Sequence, residues 1–119
     1  MVTLNWQYKL KKNQYEQKIS KLVPAYNQPN KTMEQELIKI GKPLVPSMIA
    51  ALQYFKERLT WTQQKQKEHN SAITSDHLDW QEGAYQNAIS STLIVLKEIT
   101  QMDFGMNDED WENWCKDNQ

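Results

Sequence analysis

Apolar residues recur along most of this chain at intervals of three and four positions, the spacing that places side chains on one face of an α-helix. The alternation of apolar and polar residues that marks a β-strand is hard to find. In the first segment the apolar stripe consists of Leu4, Tyr8, Tyr15, Ile19 and Leu22. Pro24 is expected to end this helix, because the residue before a proline disfavours α geometry.

A second, short helix is predicted to begin at Thr32. Thr32 and Gln35 have the spacing of a capping box, in which the two side chains satisfy the free N–H groups of the first turn. Gly41 is placed to be the left-handed residue after the helix, and Pro43 follows it. The apolar face of this helix holds Met33, Leu37 and Ile40.

A third helix is predicted to open near Pro46, since proline suits the first turn of a helix. Its wide apolar face holds Val45, Met48, Ile49, Leu52, Phe55 and Leu59. Residues 63–68 are polar on all sides, so this end is either a protruding helical tip or frayed. The longest connection is predicted over residues 69–78.

The fourth helix is predicted to begin at Asp79, where Glu82 three positions later completes a second capping box. Its apolar band holds Trp80, Ala84, Ala88, Ile89, Leu93, Val95, Leu96 and Ile99. A band this broad implies burial on more than one side. We therefore expect this helix to lie at the centre of the domain.

A short last helix is predicted to begin near Asn107. Acidic residues fill its first turn, where the helix dipole favours negative charge. One face carries Trp111, Trp114 and Cys115. We expect this helix to act as a lid, with Trp111 packed on the core residues Leu93, Leu96 and Ile99.

Three stretches carry a resemblance to a known family. Residues 33–52 contain Ile-Gly-Lys-Pro-Leu-Val-Pro, similar to the Ile-Gly-x-Pro-x-Val-Pro turn that joins the two helices of HEAT-like repeats. Residues 84–100 resemble the first helix of a following repeat. The Asp103-Phe104-Gly105 turn and the Trp-x-x-Trp of the last helix resemble the closing cap of small bacterial HEAT-like domains. Together these stretches span about two-thirds of the chain.

The resemblance implies a single all-α domain over residues 1–119, with about five helices in antiparallel pairs. Its form would be a short HEAT-like α-solenoid or a compact helical bundle. At most two repeats fit, fewer than the roughly three that a solenoid needs for stability. We therefore expect the first helix and the tryptophan cap, or another chain, to close the domain. Such domains bind other macromolecules and rarely perform chemistry.

Length and composition limit the number of domains, the possible disulfides and the expected cellular compartment. A chain of 119 residues suits one domain and buries enough surface to fold without disulfides. Cys115 is the single cysteine, so no internal disulfide can form. The N-terminus lacks the basic and then apolar layout of a signal peptide, and no apolar run approaches the roughly 18 residues of a membrane span. We expect a cytoplasmic protein without membrane association.

Charge is distributed unevenly although the net charge is only −1. Residues 1–70 hold twelve Lys and Arg against five Asp and Glu, whereas residues 71–119 hold two Lys against ten Asp and Glu. Such a bipolar distribution either steers a partner or is neutralised when the two halves pack side by side. The sequence leaves both interpretations open.

Residues with catalytic or metal-binding potential form no recognised motif. His69 and His77 share a polar segment with Asp76 and Asp79, but no third strong ligand has suitable spacing for a metal. Cys115 is expected to be a packed thiol rather than a nucleophile. The sequence therefore predicts no enzyme activity, no cofactor and no metal site.

Two charged groups remain as candidate binding surfaces. The leading candidate is an acidic cluster around the last turn, consisting of Asp103, Asp108, Glu109, Asp110 and Glu112. The alternative is a basic face consisting of Lys9, Lys11, Lys12, Lys18 and Lys21. Either group could instead be a solvated helix face.

We therefore expect a non-enzymatic module that binds a protein partner. Within this class, a bacterial immunity protein that neutralises a toxin by direct binding fits a short chain with a polarised surface and no active site. Its partner would be a basic toxin domain. The alternative is a helical module that binds nucleic acid through its lysine-rich N-terminal half. The sequence leaves the oligomeric state open.

Overall fold

The computed structural model describes residues 15, 17–23, 28–68 and 75–118. Residues 15 and 17–20 are helical, and four α-helices follow: α1 (Lys31–Ile40), α2 (Val45–Lys67), α3 (Ser75–Thr100) and α4 (Asp108–Asp117). A short 3₁₀ helix, Lys42–Leu44, joins α1 to α2. No strand occurs in these described ranges. The prediction of an all-α domain is confirmed.

The arrangement is a small bundle in which α3 packs against both α1 and α2. Helices α2 and α3 run antiparallel, because Gln66 near the end of α2 meets Asp79 near the start of α3, while Phe55 meets Tyr85 further along. Helix α4 lies on α2. The fourth predicted helix is therefore packed against two neighbours, as its broad apolar band predicts.

The core is formed mainly by the apolar stripes that the sequence pattern predicts. Its buried members on α1 to α3 include Met33, Leu37, Val45, Met48, Ile49, Leu52, Phe55, Ala88, Ile89, Val95 and Leu96. Tyr15, Ile19 and Leu22 of the first stripe are also buried there. Each large aliphatic side chain buried in this way stabilises the fold by about 1.5–3 kcal/mol relative to exposure. Leu4, Tyr8 and Pro24 lie outside the described residues.

The start of α1 differs from the prediction. Asn30, not Thr32, is the capping residue: its Oδ1 accepts a hydrogen bond from the backbone N–H of Met33 at 3.1 Å. Thr32 is exposed inside the first turn. Asn30 also donates through Nδ2 to the carbonyl of Lys21 at 3.3 Å. This contact with the preceding helical segment places the chain so that the helix begins earlier.

Replacing each of the two candidate capping residues with alanine tests this assignment. Asn30→Ala should lower the free energy of unfolding by about 1–2 kcal/mol, because it removes the cap and the bond to Lys21. Thr32→Ala is the matched control and should change it by less than about 0.5 kcal/mol, as surface substitutions do. Chemical denaturation of both variants gives the comparison. A larger loss in the threonine variant would contradict the structural assignment.

The start of α3 also differs from the prediction. The helix begins at Ser75, so Asp79 is an interior position that accepts a hydrogen bond from Gln66 Nε2 at 3.0 Å instead of capping. Leu78, before the predicted start, is buried and extends the helix upstream. Trp80, predicted on the apolar face, is 41% exposed and stacks on His77 with ring centroids 6.2 Å apart.

The polar end of α2 is helical through Lys67, which settles the choice between a helical and a frayed end. Thr62 is fully buried and donates to the carbonyl of Arg58 at 2.8 Å. Gly41 after α1 has φ +79° and ψ −150°, a positive φ as expected for glycine but outside the left-handed helical region. None of the described helices combines the length and apolarity that crossing a membrane requires.

Candidate functional site

The turn between α3 and α4 is organised by backbone and side-chain hydrogen bonds around Gly105. Asp103 Oδ1 accepts from the N–H of Gly105 at 3.2 Å, and Gly105 takes a positive φ of 56°. The carbonyl of Gly105 then accepts from Trp111 Nε1 at 2.7 Å. The Phe104 ring meets the Trp111 ring edge-on with centroids 4.8 Å apart. Trp111 thus holds the turn as well as filling the core.

Helix α4 begins as predicted, with Asn107 as its cap. Asn107 Oδ1 accepts from the N–H of Asp110 at 3.1 Å. Trp111 has no exposed surface and belongs to the same buried cluster as Leu96. Leu93 and Ile99 are partly buried and pack against this cluster. The prediction that Trp111 is buried in the core is confirmed, and its helix lies on α2, whereas packing of Trp111 on Leu93, Leu96 and Ile99 stays a prediction.

Two of the five predicted acidic residues contact α2. Asp108 Oδ1 lies 2.9 Å from Lys56 Nζ, which also donates to the carbonyl of Met106 at 2.9 Å. Glu112 Oε1 accepts from Gln53 Nε2 at 2.9 Å. These bonds orient α4 on α2, so Asp108 and Glu112 have a structural role inside the domain.

The other three predicted acidic residues point to solvent. Glu109 and Asp110 are exposed, and within the described part of the chain neither forms an ion pair. Asp103 is 67% exposed and lies 3.8 Å from Lys97. At this exposure an ion pair is worth little. The available negative charge at the start of α4 therefore comes from Glu109 and Asp110.

An open groove runs between the outer side of α2 and the start of α4, with a volume of about 480 Å³. Its lining consists of Gln53, Lys56, Glu57, Thr60, Trp61, Gln64 and Asp108. Sequence reasoning missed Glu57 and Trp61. Both lie on the side of α2 opposite its apolar stripe, and a helical projection of residues 45–67 would have shown an aromatic ring among the polar positions there.

Trp61 is covered on one side by a cation. The Arg58 guanidinium carbon lies 4.5 Å from the centroid of the Trp61 ring, and Arg58 Nε donates to Tyr85 Oη at 3.5 Å. Cation–π stacking of this kind is attractive because the ring face is electronegative. Two apolar side chains nearby remain exposed, Tyr54 at 51% and Met106 at 56%. The surface therefore combines aromatic rings with charges of both signs.

The alternative basic face is only partly described. Lys18 and Lys21 are exposed, as predicted from their positions off the apolar stripe. Lys9, Lys11 and Lys12 lie outside the described residues. Among the described residues, the side chains of Lys18 and Lys21 form no contact with the groove between α2 and α4.

Groups suited to chemistry do not converge in the described ranges. Among the residues that the structure describes, no three His, Cys, Asp or Glu side chains are arranged to hold a metal ion. Cys115 is buried in the core, as expected for a packed thiol. His69 lies outside the described residues.

No family model, curated protein or solved structure matches this chain. The likeness to HEAT-like repeats therefore remains a prediction from the sequence.

Proposed function

We propose that this chain is a non-enzymatic protein-binding module, built on a HEAT-like helical scaffold, that receives the basic surface of a protein partner at the junction of α2 and α4. The observation that supports this most directly is the groove between Trp61 and Asp108, with the exposed acids of α4 beside it. The groove lies on two helices fixed by packing, so the partner meets a preorganised surface.

The residue types at this junction are those that contribute strongly to binding. A few buried aromatic side chains usually provide most of the binding energy, and charged residues surround them. Trp61 and Tyr54 are suited to the first role. Glu57, Glu109 and Asp110 are exposed and suited to the second. The proposed acidic surface therefore keeps Glu109 and Asp110 of the predicted cluster on α4 and adds Glu57 on α2.

Within this class we propose an immunity protein that neutralises a basic toxin domain by covering its active surface. The bipolar charge along the sequence supports electrostatic attraction of such a partner. A second candidate, nucleic-acid binding, has less support, because the carboxylates at the start of α4 repel phosphates. Its electrostatic signature is a steep fall in affinity with salt, which a titration against nonspecific duplex DNA measures.

The test begins with affinity capture of the partner from the native host, followed by association kinetics with the purified partner. Reversing Glu109 and Asp110 to lysine should slow association about tenfold at low salt with a smaller change in dissociation, since peripheral charges mainly set the association rate. Asp108 is left unchanged because it pairs with Lys56. The fold should survive with a modest dipole penalty.

The matched control is Glu36→Lys with Lys39 unchanged, a charge reversal at an exposed position on α1. At about 0.15 M salt, where the Debye length is about 8 Å, it should leave the association rate within about twofold of the wild-type rate, because a single charge away from the contact is largely screened. Equal association rates for the wild type and the Glu109/Asp110 variant at low salt would overturn the proposed acidic surface.

A further inference from the structure

We infer that the outer ridge of α2 is the contact surface of a symmetric homodimer, in which Glu57 of each copy pairs with Arg58 of the other. The ridge is defined by Tyr54 and Trp61, with Glu57 and Arg58 beside it. The inference goes beyond the proposed function: the dimer covers Tyr54, Trp61 and Glu57, so a second copy of this chain competes with the partner for this surface.

Tyr54 and Trp61 lie almost in line along α2. Side chains seven positions apart differ by only about 20° around a helix with 3.6 residues per turn. The ridge faces away from the core: Tyr54 is 51% exposed, whereas Phe55 and Thr62, the next residue after each, are buried. An aromatic ridge on an otherwise polar helix side gives a second copy an apolar seam to pack against.

Glu57 and Arg58 flank this ridge symmetrically. With about 100° between consecutive residues, Glu57 lies about 50° to one side of the line through Tyr54 and Trp61, and Arg58 about 50° to the other. The two are consecutive, so they stand at nearly the same height on the helix. Across the described residues neither side chain has an ion-pair partner.

A two-fold axis parallel to α2 makes this surface self-complementary. Such an axis preserves height along the helix and exchanges left with right, so the side of one copy that carries Glu57 faces the side of the other that carries Arg58. An isologous interface repeats every contact twice. Two identical Glu57–Arg58 pairs therefore form on either side of a seam of Tyr54 and Trp61.

The wider flanks contribute little to this pairing, because Asp108 pairs with Lys56 and Lys65 Nζ lies 3.1 Å from Glu68 Oε2. Arg58 is already restrained by Trp61 and by Tyr85. A restrained guanidinium loses less side-chain entropy when its free N–H groups donate to a carboxylate.

Sedimentation equilibrium of the full chain over a range of concentrations and salt tests the inference. The wild type should show a monomer–dimer equilibrium that weakens with salt. Glu57→Arg and Arg58→Glu should each raise the dimer dissociation constant about tenfold, because two attractions become two repulsions. The double variant Glu57→Arg/Arg58→Glu restores opposite charges and should return to within about threefold of the wild type.

Two further variants keep the result decisive. Tyr54→Arg places like charges across the seam and should also weaken the dimer about tenfold, with the Arg58 stack retained. Glu36→Arg on α1 is the control and should leave the dissociation constant unchanged. Circular-dichroism melts confirm that each variant is folded.

A chain that remains monomeric up to about 1 mM would overturn the inference. So would a Glu57→Arg variant that dimerises as tightly as the wild type, since this variant keeps Arg58 and its stack on Trp61 and removes only the pairing. Partner capture is carried out with the chain below its dimer dissociation constant, so that a failed capture counts against the proposed function and not against the dimer.

Discussion

Trp111→Ala is expected to lower the free energy of unfolding by about 3–5 kcal/mol, the range for deleting a large buried aromatic side chain. The ring has no exposed surface, and its Nε1 donates to the carbonyl of Gly105 at 2.7 Å. The substitution therefore leaves a cavity in the core and an unpaired carbonyl in the turn. For a domain of this size the melting temperature should fall by more than about 10 °C.

A graded series separates the two contributions of Trp111. Trp111→Phe retains most of the ring but loses the bond to Gly105, and should cost about 1–2 kcal/mol. Trp114→Ala is the positional control: Trp114 is only partly buried at the edge of the core, so its loss should be smaller than that of Trp111→Ala. A Trp111→Ala variant with an unchanged melting temperature would disprove the lid.

Ser91→Ala is expected to lower the free energy of unfolding by about 1.5–3 kcal/mol. Ser91 Oγ donates to Glu34 Oε2 at 2.5 Å, and Glu34 is only 2% exposed at the contact between α1 and α3. Removing the serine hydroxyl takes a donor from a buried carboxylate that water barely reaches, and a bond to a charged group is among the stronger hydrogen bonds. Lys31 Nζ, at 3.4 Å from Oε1, is exposed and compensates little.

A double-mutant cycle isolates this pair. Glu34→Leu/Ser91→Ala replaces both partners with apolar groups, and its loss should be smaller than the sum of the two single losses, because neither buried group is left unsatisfied. Urea denaturation of the four proteins gives the coupling free energy. Additive losses, or a Ser91→Ala variant within about 0.5 kcal/mol of the wild type, would show that the contact contributes nothing.

The sequence predicts the acidic cluster of the candidate surface but not which of its carboxylates remain exposed. The acidic cluster at the start of α4 is visible in the sequence, and its dipole preference follows from local geometry alone. Whether each carboxylate is available depends on distant residues. Glu112 bonds to Gln53, 59 positions away, and Asp108 pairs with Lys56, whereas Glu109 next to Asp108 remains exposed. No local pattern distinguishes these neighbours.

Local sequence patterns were sufficient to predict the presence of the helices, most of the core and the burial of Trp111. Those features follow from a repeat of apolar residues at three and four positions, which each segment carries independently. Met33, Leu37 and Leu52 are buried as that repeat predicts, and α4 begins at Asp108, next to the predicted start at Asn107. Apolar periodicity and helix-start signals involve residues close in sequence, so they can be recognised without knowledge of the rest of the chain.

Contacts between distant segments select one of two competing local signals and set which surfaces remain exposed. Asn30 caps α1 instead of Thr32 because it also bonds to the preceding segment at Lys21. Trp80 is exposed although it continues the apolar stripe of α3, while Trp61 lines the groove because α4 docks beside it. Burial and pairing depend on what packs against a residue, and that is set by helix positions that no single segment specifies.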